Sequence, residues 1–131
     1  MLIHNLADTE VTELRAAAVL ATSVSGSVTG IACADVNEVD FEIIVVNDTN
    51  ITEIKVQAEA SSDNTNWVVL QQESSGVLTD MVYTRAITAD GQRLLITVPA
   101  RLRFVRIQLY VSAGTGVSSS VSVQAIRRRR N

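Results

Sequence analysis

Few residues in this chain have the types and spacing that chemistry requires. His4, the one histidine, stands near the start with no partner around it for a catalytic triad or a metal site, and takes no functional role. Cys33 sits between Ala32 and Ala34 and reads as a small buried hydrophobe, because no local cation is present to lower its pKa. A single cysteine also excludes an intramolecular disulfide and a cysteine-based zinc site. Asp35, Glu38, Asp40 and Glu42 are too regularly spaced for a calcium-binding EF-hand loop and lack its glycine. They read as one solvated or interface-facing side of a strand. Asp63 lies in Ser61-Ser62-Asp63-Asn64-Thr65-Asn66-Trp67, where Asp and Asn hydrogen-bond their own backbone, a structural role preferred here over calcium binding. No phosphate-cradling glycine loop is present. The expectation is a non-enzyme with no catalytic, cofactor or metal site.

Two kinds of binding residue remain. Trp67 is read as a core or core-edge residue, with a sugar platform shared with Tyr83 and Tyr110 as the rival. The block Arg127, Arg128, Arg129 and Arg130 invites a phosphate-binding reading, but no basic-aromatic groove accompanies it and residues 1–126 are net acidic. Charge is uneven along the chain: residues 1–82 hold 13 acidic and 2 basic side chains, residues 83–131 hold 1 and 9. Ten of the eleven basic residues are Arg, which favours paired, partly buried contacts over a solvated surface. An Arg tail docking on an acidic neighbour therefore fits better than nucleic acid. No apolar run reaches the ~18–20 residues of a membrane span, and no membrane partner is expected.

The elements that must position these residues are strands. The chain has 131 residues, 47% apolar but only 4% aromatic, so its core is built from Val, Ile, Leu and Ala. A chain of this size buries roughly 65–70% of its unfolded surface, enough for one domain without disulfides. Residues 1–18 are an N-terminal arm or short helix: Asp8 or Thr9 could cap a helix over 5–18, and Ala16, Ala17 and Ala18 favour it, while an extended arm on a neighbouring subunit weighs equally. Residues 19–126 carry period-two patterns. Val39, Phe41, Ile43 and Val45 alternate with Glu38, Asp40 and Glu42, and the apolar end of this run predicts a central strand covered on both sides. Val105, Ile107, Leu109 and Val111 alternate with Phe104, Arg106, Gln108 and Tyr110. Short runs also appear at 19–24 and 28–33. The residues 61–67 predict a hairpin-like turn, Asp90-Gly91 the sharpest hairpin, and Ser74-Ser75-Gly76 a loop. Residues 127–131 form a basic C-terminal tail. The pattern predicts a single antiparallel β-sandwich or jelly roll of about eight strands.

Ser61-x-Asp63-x-x-x-Trp67, followed later by Arg103-Phe104-Val105-Arg106, resembles the S-x-D-x-x-x-W … R-[FY]-V-R pattern of discoidin-like sandwiches. It is still more similar to the small β-sandwich virion proteins of tailed bacteriophages, over roughly residues 38–126. Asn64 stands where a glycine often follows the Asp, and Asn tolerates the left-handed conformation. The resemblance implies a scaffold in which Asp63, Trp67 and Phe104 shape a turn and its core. It further implies a structural protein of a phage virion, foremost a capsid decoration or cement protein, made in the host cytoplasm. Its partners would be copies of itself and a major capsid or other virion protein, with Leu2, Ile3, Leu6 and Arg127, Arg128, Arg129 and Arg130 at the interface. A neck, tail or fibre-base component, or a glycan-binding discoidin-like module, is the alternative.

Overall fold

The computed structural model describes residues 9–18, 28–46, 51–114 and 120–128. Every regular element among them is a strand, in the order β1 (Thr9–Ala18), β2 (Ile31–Ala32), β3 (Glu38–Val46), β4 (Ile51–Ser61), β5 (Val68–Val69), β6 (Gln71–Ser74), β7 (Val77–Asp80), β8 (Val82–Ala86), β9 (Gln92–Pro99), β10 (Phe104–Gly114) and β11 (Ser120–Arg128). All pairings are antiparallel. Sheet I runs β1-β11-β3-β9; sheet II runs β2-β10-β4, with β5 and β8 following one another along the far edge of β4. Among the described residues, β6 and β7 pair only with each other.

Period-two patterning explains the sandwich. Val39, Phe41, Ile43 and Val45 of β3 and Val121, Val123 and Ala125 of β11 are wholly buried from sheet I. Ile54, Val56, Ala58 and Ala60 of β4 and Val105, Ile107 and Leu109 of β10 meet them from sheet II. Pairing small with large across strands, as in Ala58 opposite Ile107, lets the two inner faces interdigitate. β3 is central in its sheet, as its apolar run predicts, but its outer side is open: Ile44 is half-buried and Val46 exposed.

Three local readings are corrected. Residues 9–18 form β1 rather than a helix, paired with the chain's own β11 rather than with a neighbour. The free edge of β11, whose inward side chains are fully buried, outweighs the helix propensity of three alanines; β1 closes that edge and adds Leu14 to the core. The sandwich therefore begins by Thr9 and continues to Arg128, so neither the arm at 1–18 nor the tail at 127–131 is separate from it along its whole length. Asp90-Gly91 joins β8 of sheet II to β9 of sheet I and is no hairpin. Only Gly91 of that pair has positive φ (74°), whereas the favoured two-residue hairpin turns need it at the first residue, here Asp90. Ser75 (53°) and Gly76 (80°) both have it, and they close the β6–β7 hairpin. The run at 19–24 lies outside the described residues.

Candidate functional site

The two halves of the sequence pattern meet on the outer face of sheet II. Ser61 lies directly opposite Phe104 in the β4–β10 ladder, and Glu59 opposite Arg106. Beyond Ser61 the chain turns on its own polar side chains. The Ser61 hydroxyl accepts from the amides of Asp63 (3.2 Å) and Asn64 (2.9 Å) and donates to Asp63 Oδ1 (2.9 Å). Oδ1 also accepts from the amides of Thr65 (2.9 Å) and Asn66 (2.8 Å), and Oδ2 from the Asn66 side chain (2.8 Å). These donors, the Asn66 amide foremost, hold the Asp63 carboxyl well below the usual carboxylate range. Asn64 takes the left-handed conformation (φ 61°), as its short polar side chain permits. Residues 61–67 then return the chain as β5, pairing Val68 with Ala60.

This turn sets Trp67 half-buried beneath Arg106, whose guanidinium lies 4.2 Å from the ring centroid. Arg106 Nε donates to Glu59 Oε1 at 2.7 Å, and Glu59 Oε2 accepts from Gln57 Nε2 at 2.8 Å. The ring also lies so close to Gly30 that a Cβ there would come within 2.5 Å of Trp67 Cη2 and of Asn64 Oδ1. The assembly is a mutually satisfied polar clasp. Its charges neutralise each other, and one indole face is taken by Arg106. Phe104, half-buried, flanks the clasp with the Arg103 guanidinium 6.0 Å from its ring. The three aromatics weighed as a sugar platform do not share a surface. Tyr83 lies opposite Val56 on the core side of sheet II, while Tyr110 lies opposite Lys55 on the outer side.

The acidic strand residues are engaged on the outer face of sheet I. Asp40 Oδ1 accepts from Thr97 Oγ1 at 2.7 Å, and Glu42 pairs with Arg93 at 3.3 Å. Across this face one row runs Val11, Ile126, Asp40, Thr97 and the next Glu13, Gln124, Glu42, Leu95. Val11 and Leu95 are 61% and 59% exposed, so this face mixes carboxylates with bare aliphatic side chains. Among the described residues no group of His, Cys, Asp and Glu could hold a metal ion. Cys33 is buried; its thiol donates to the Leu102 carbonyl at 3.1 Å, and burial pushes its pKa up.

Of the residues expected at an interface, Leu2, Ile3, Leu6, Arg129 and Arg130 lie outside the described residues, as does His4. Arg128 ends β11 opposite Thr9. Arg127, expected to pair with a neighbour's acidic strand, donates from Nη1 to the Ala32 carbonyl of its own chain at 2.8 Å, tying sheet I to β2 of sheet II. Ladder register places it beside Val39, on the inward side of β11, within reach of β2. Sequence reasoning missed Gly30, which nothing in its neighbours marks, and Arg15. Arg15 is buried at a bulge in β1, where Nη1 donates to the carbonyls of Ala18 and Val121. The one available signal was its isolation as the only basic residue before Lys55. No family model, curated protein or solved structure matches the chain.

Proposed function

We propose that this chain is a non-enzymatic structural component of a tailed-bacteriophage virion, foremost a decoration or cement protein on the capsid, acting through contacts with copies of itself and with a major capsid or other virion protein. The observation that carries the reading is the outer face of sheet I, where Val11, Leu95 and Val46 stand exposed between Asp40, Glu42 and Glu13. Exposed aliphatic groups set beside Asp40 and Glu42, which Thr97 and Arg93 already engage, suit a contact surface, since burying them gains hydrophobic free energy without stranding those two ions. The other outer face supports the same reading in a different way. The clasp of Glu59, Arg106 and Trp67 gathers the residues of the phage-like and discoidin-like pattern into one stiffening device. A passive scaffold needs that rigidity.

The test is direct. Quantitative mass spectrometry of purified particles whose genome encodes the chain, with antibody labelling in electron micrographs, is expected to find it at defined symmetric positions in many copies. Its absence from intact particles sinks the reading. Labelling confined to the neck, tail or fibre base moves the protein within the virion and leaves the mechanism standing.

A further inference from the structure

The hairpin of β6 and β7 stands apart from the sandwich. All eight of its strand residues are exposed, and among the described residues it pairs with no third strand. A two-stranded ribbon alone in water is marginally stable, yet this one is firmly rooted. Leu70 and Met81 at its foot are buried; the Leu70 amide donates to the Ala58 carbonyl at 2.9 Å, and the Ala58 amide donates to the Met81 carbonyl at 3.0 Å. The Met81 amide closes the foot on the Leu70 carbonyl at 2.8 Å.

Register sorts the ribbon's side chains into two faces. Gln71 lies opposite Asp80 and Glu73 opposite Leu78, so one face carries Leu78, 61% exposed, between two carboxylates. The matching surface lies on the same molecule. At residues 101–103, between β9 and β10, Leu102 is 41% exposed between Arg101 and Arg103, both exposed. Arg101 Nη1 donates to the Gln71 carbonyl at 2.6 Å, so this turn is fixed beside the ribbon's foot. One patch is a leucine flanked by two acids, the other a leucine flanked by two arginines, and both lie at the same end of the molecule. Two adjacent complementary patches on one chain are what a two-fold interface requires, since each copy then offers both to the other.

We propose that the ribbon is an intermolecular arm: its Glu73, Leu78 and Asp80 face docks on Arg101, Leu102 and Arg103 of a second copy of this chain, reciprocally. This goes beyond the virion reading and does not depend on it.

Sedimentation equilibrium of the purified full chain over a concentration series is expected to show a monomer–dimer equilibrium that weakens with added salt. Two charge-reversed variants test the contact: Glu73→Arg with Asp80→Arg, and Arg101→Glu with Arg103→Glu. Each alone is expected to weaken the dimer on the order of 100-fold, because like charges then meet. An equimolar mixture of the two is expected to restore association as a heterodimer, which an unfolded variant cannot do. A wild-type chain that stays monomeric throughout overturns the proposal. So does a dimer that neither variant weakens, or a mixture that fails to associate.

Discussion

The two outer faces of the sandwich are built from strands of similar length and the same alternation, yet they end in opposite states. On sheet II the outward polar residues of β4 and β10 largely satisfy one another, and Val82 beside Gln57 is the aliphatic group left exposed on β8. Glu59 holds Arg106, Arg106 covers Trp67, Gln57 reaches Glu59, and Ser112 donates to Glu53 at 2.8 Å. On sheet I the ion pair of Glu42 with Arg93 and the bond from Thr97 to Asp40 leave Val11, Leu95 and Val46 bare beside them. The difference lies in what each face has been given as a cover. Residues 61–67 fold over sheet II and supply an indole, while no described segment crosses the outside of sheet I. A face closed by its own loop contributes to stability, and a face left partly apolar is available for contact.

Substitutions can break that comparison, beginning with the largest effect. Arg106→Ala strips the cover from Trp67 and leaves the nearly buried Glu59 without its cation; urea unfolding is expected to show a loss of about 3 kcal/mol. A loss near zero means the clasp on sheet II is ornamental. Gly30→Ala pushes a methyl group into Trp67 and Asn64, and is expected to cost about 1–3 kcal/mol with a shift in tryptophan emission, because ring and loop must move together. Leu95→Lys on the other face is expected to change stability by less than about 0.5 kcal/mol. Under the proposed virion role, its effect appears instead as weaker association with particles in a co-sedimentation assay. Were Leu95→Lys to unfold the protein, the two faces would not differ as described.

The smallest effect concerns pH. The folded Asp63 carboxyl titrates below its unfolded value, so its contribution is fully present above the unfolded pKa and is lost as pH falls through the folded one. Trp67 emission is therefore expected to stay constant from neutral pH down to about 4.5, and to change only in strongly acidic solution. A transition near pH 6 assigns the turn to some other group.

Period two made the inner faces legible: Val39, Phe41, Ile43 and Val45 of β3, Ile54, Val56, Ala58 and Ala60 of β4 and Val105, Ile107, Leu109 and Val111 of β10 are the apolar members of alternations visible in the chain. The turn at 61–67 was legible for a related reason, since its hydrogen bonds run among residues two or three apart. What could not be read depends on distant partners. β1 carries helix signals, and only the open edge of β11, more than a hundred residues later, makes it a strand. Asp90-Gly91 has the composition of a hairpin, but the Gln92 side chain redirects it. Its Oε1 accepts from the amides of Thr88 (2.8 Å) and Ala89 (3.3 Å), and its Nε2 donates to the Ala86 carbonyl (3.1 Å). The hairpin sits at Ser75-Gly76, where Ser in a left-handed conformation is uncommon enough to be passed over. Gly30 acquires its role only from an indole that arrives after a crossing from sheet I to sheet II.

The pairing of β1 with β11 has a mechanical consequence. Thr9 lies opposite Arg128, so the first and last described residues sit side by side at one end of a single antiparallel ladder. Tension applied between residues 9 and 128 loads that ladder from its end and peels β1 from β11 one hydrogen bond at a time, the compliant direction for a sheet. Tension between residue 9 and the tip of the ribbon would instead be carried through both sheets. A neighbour gripping the ribbon would therefore feel a stiff body, and one gripping the two strand ends a seam that opens.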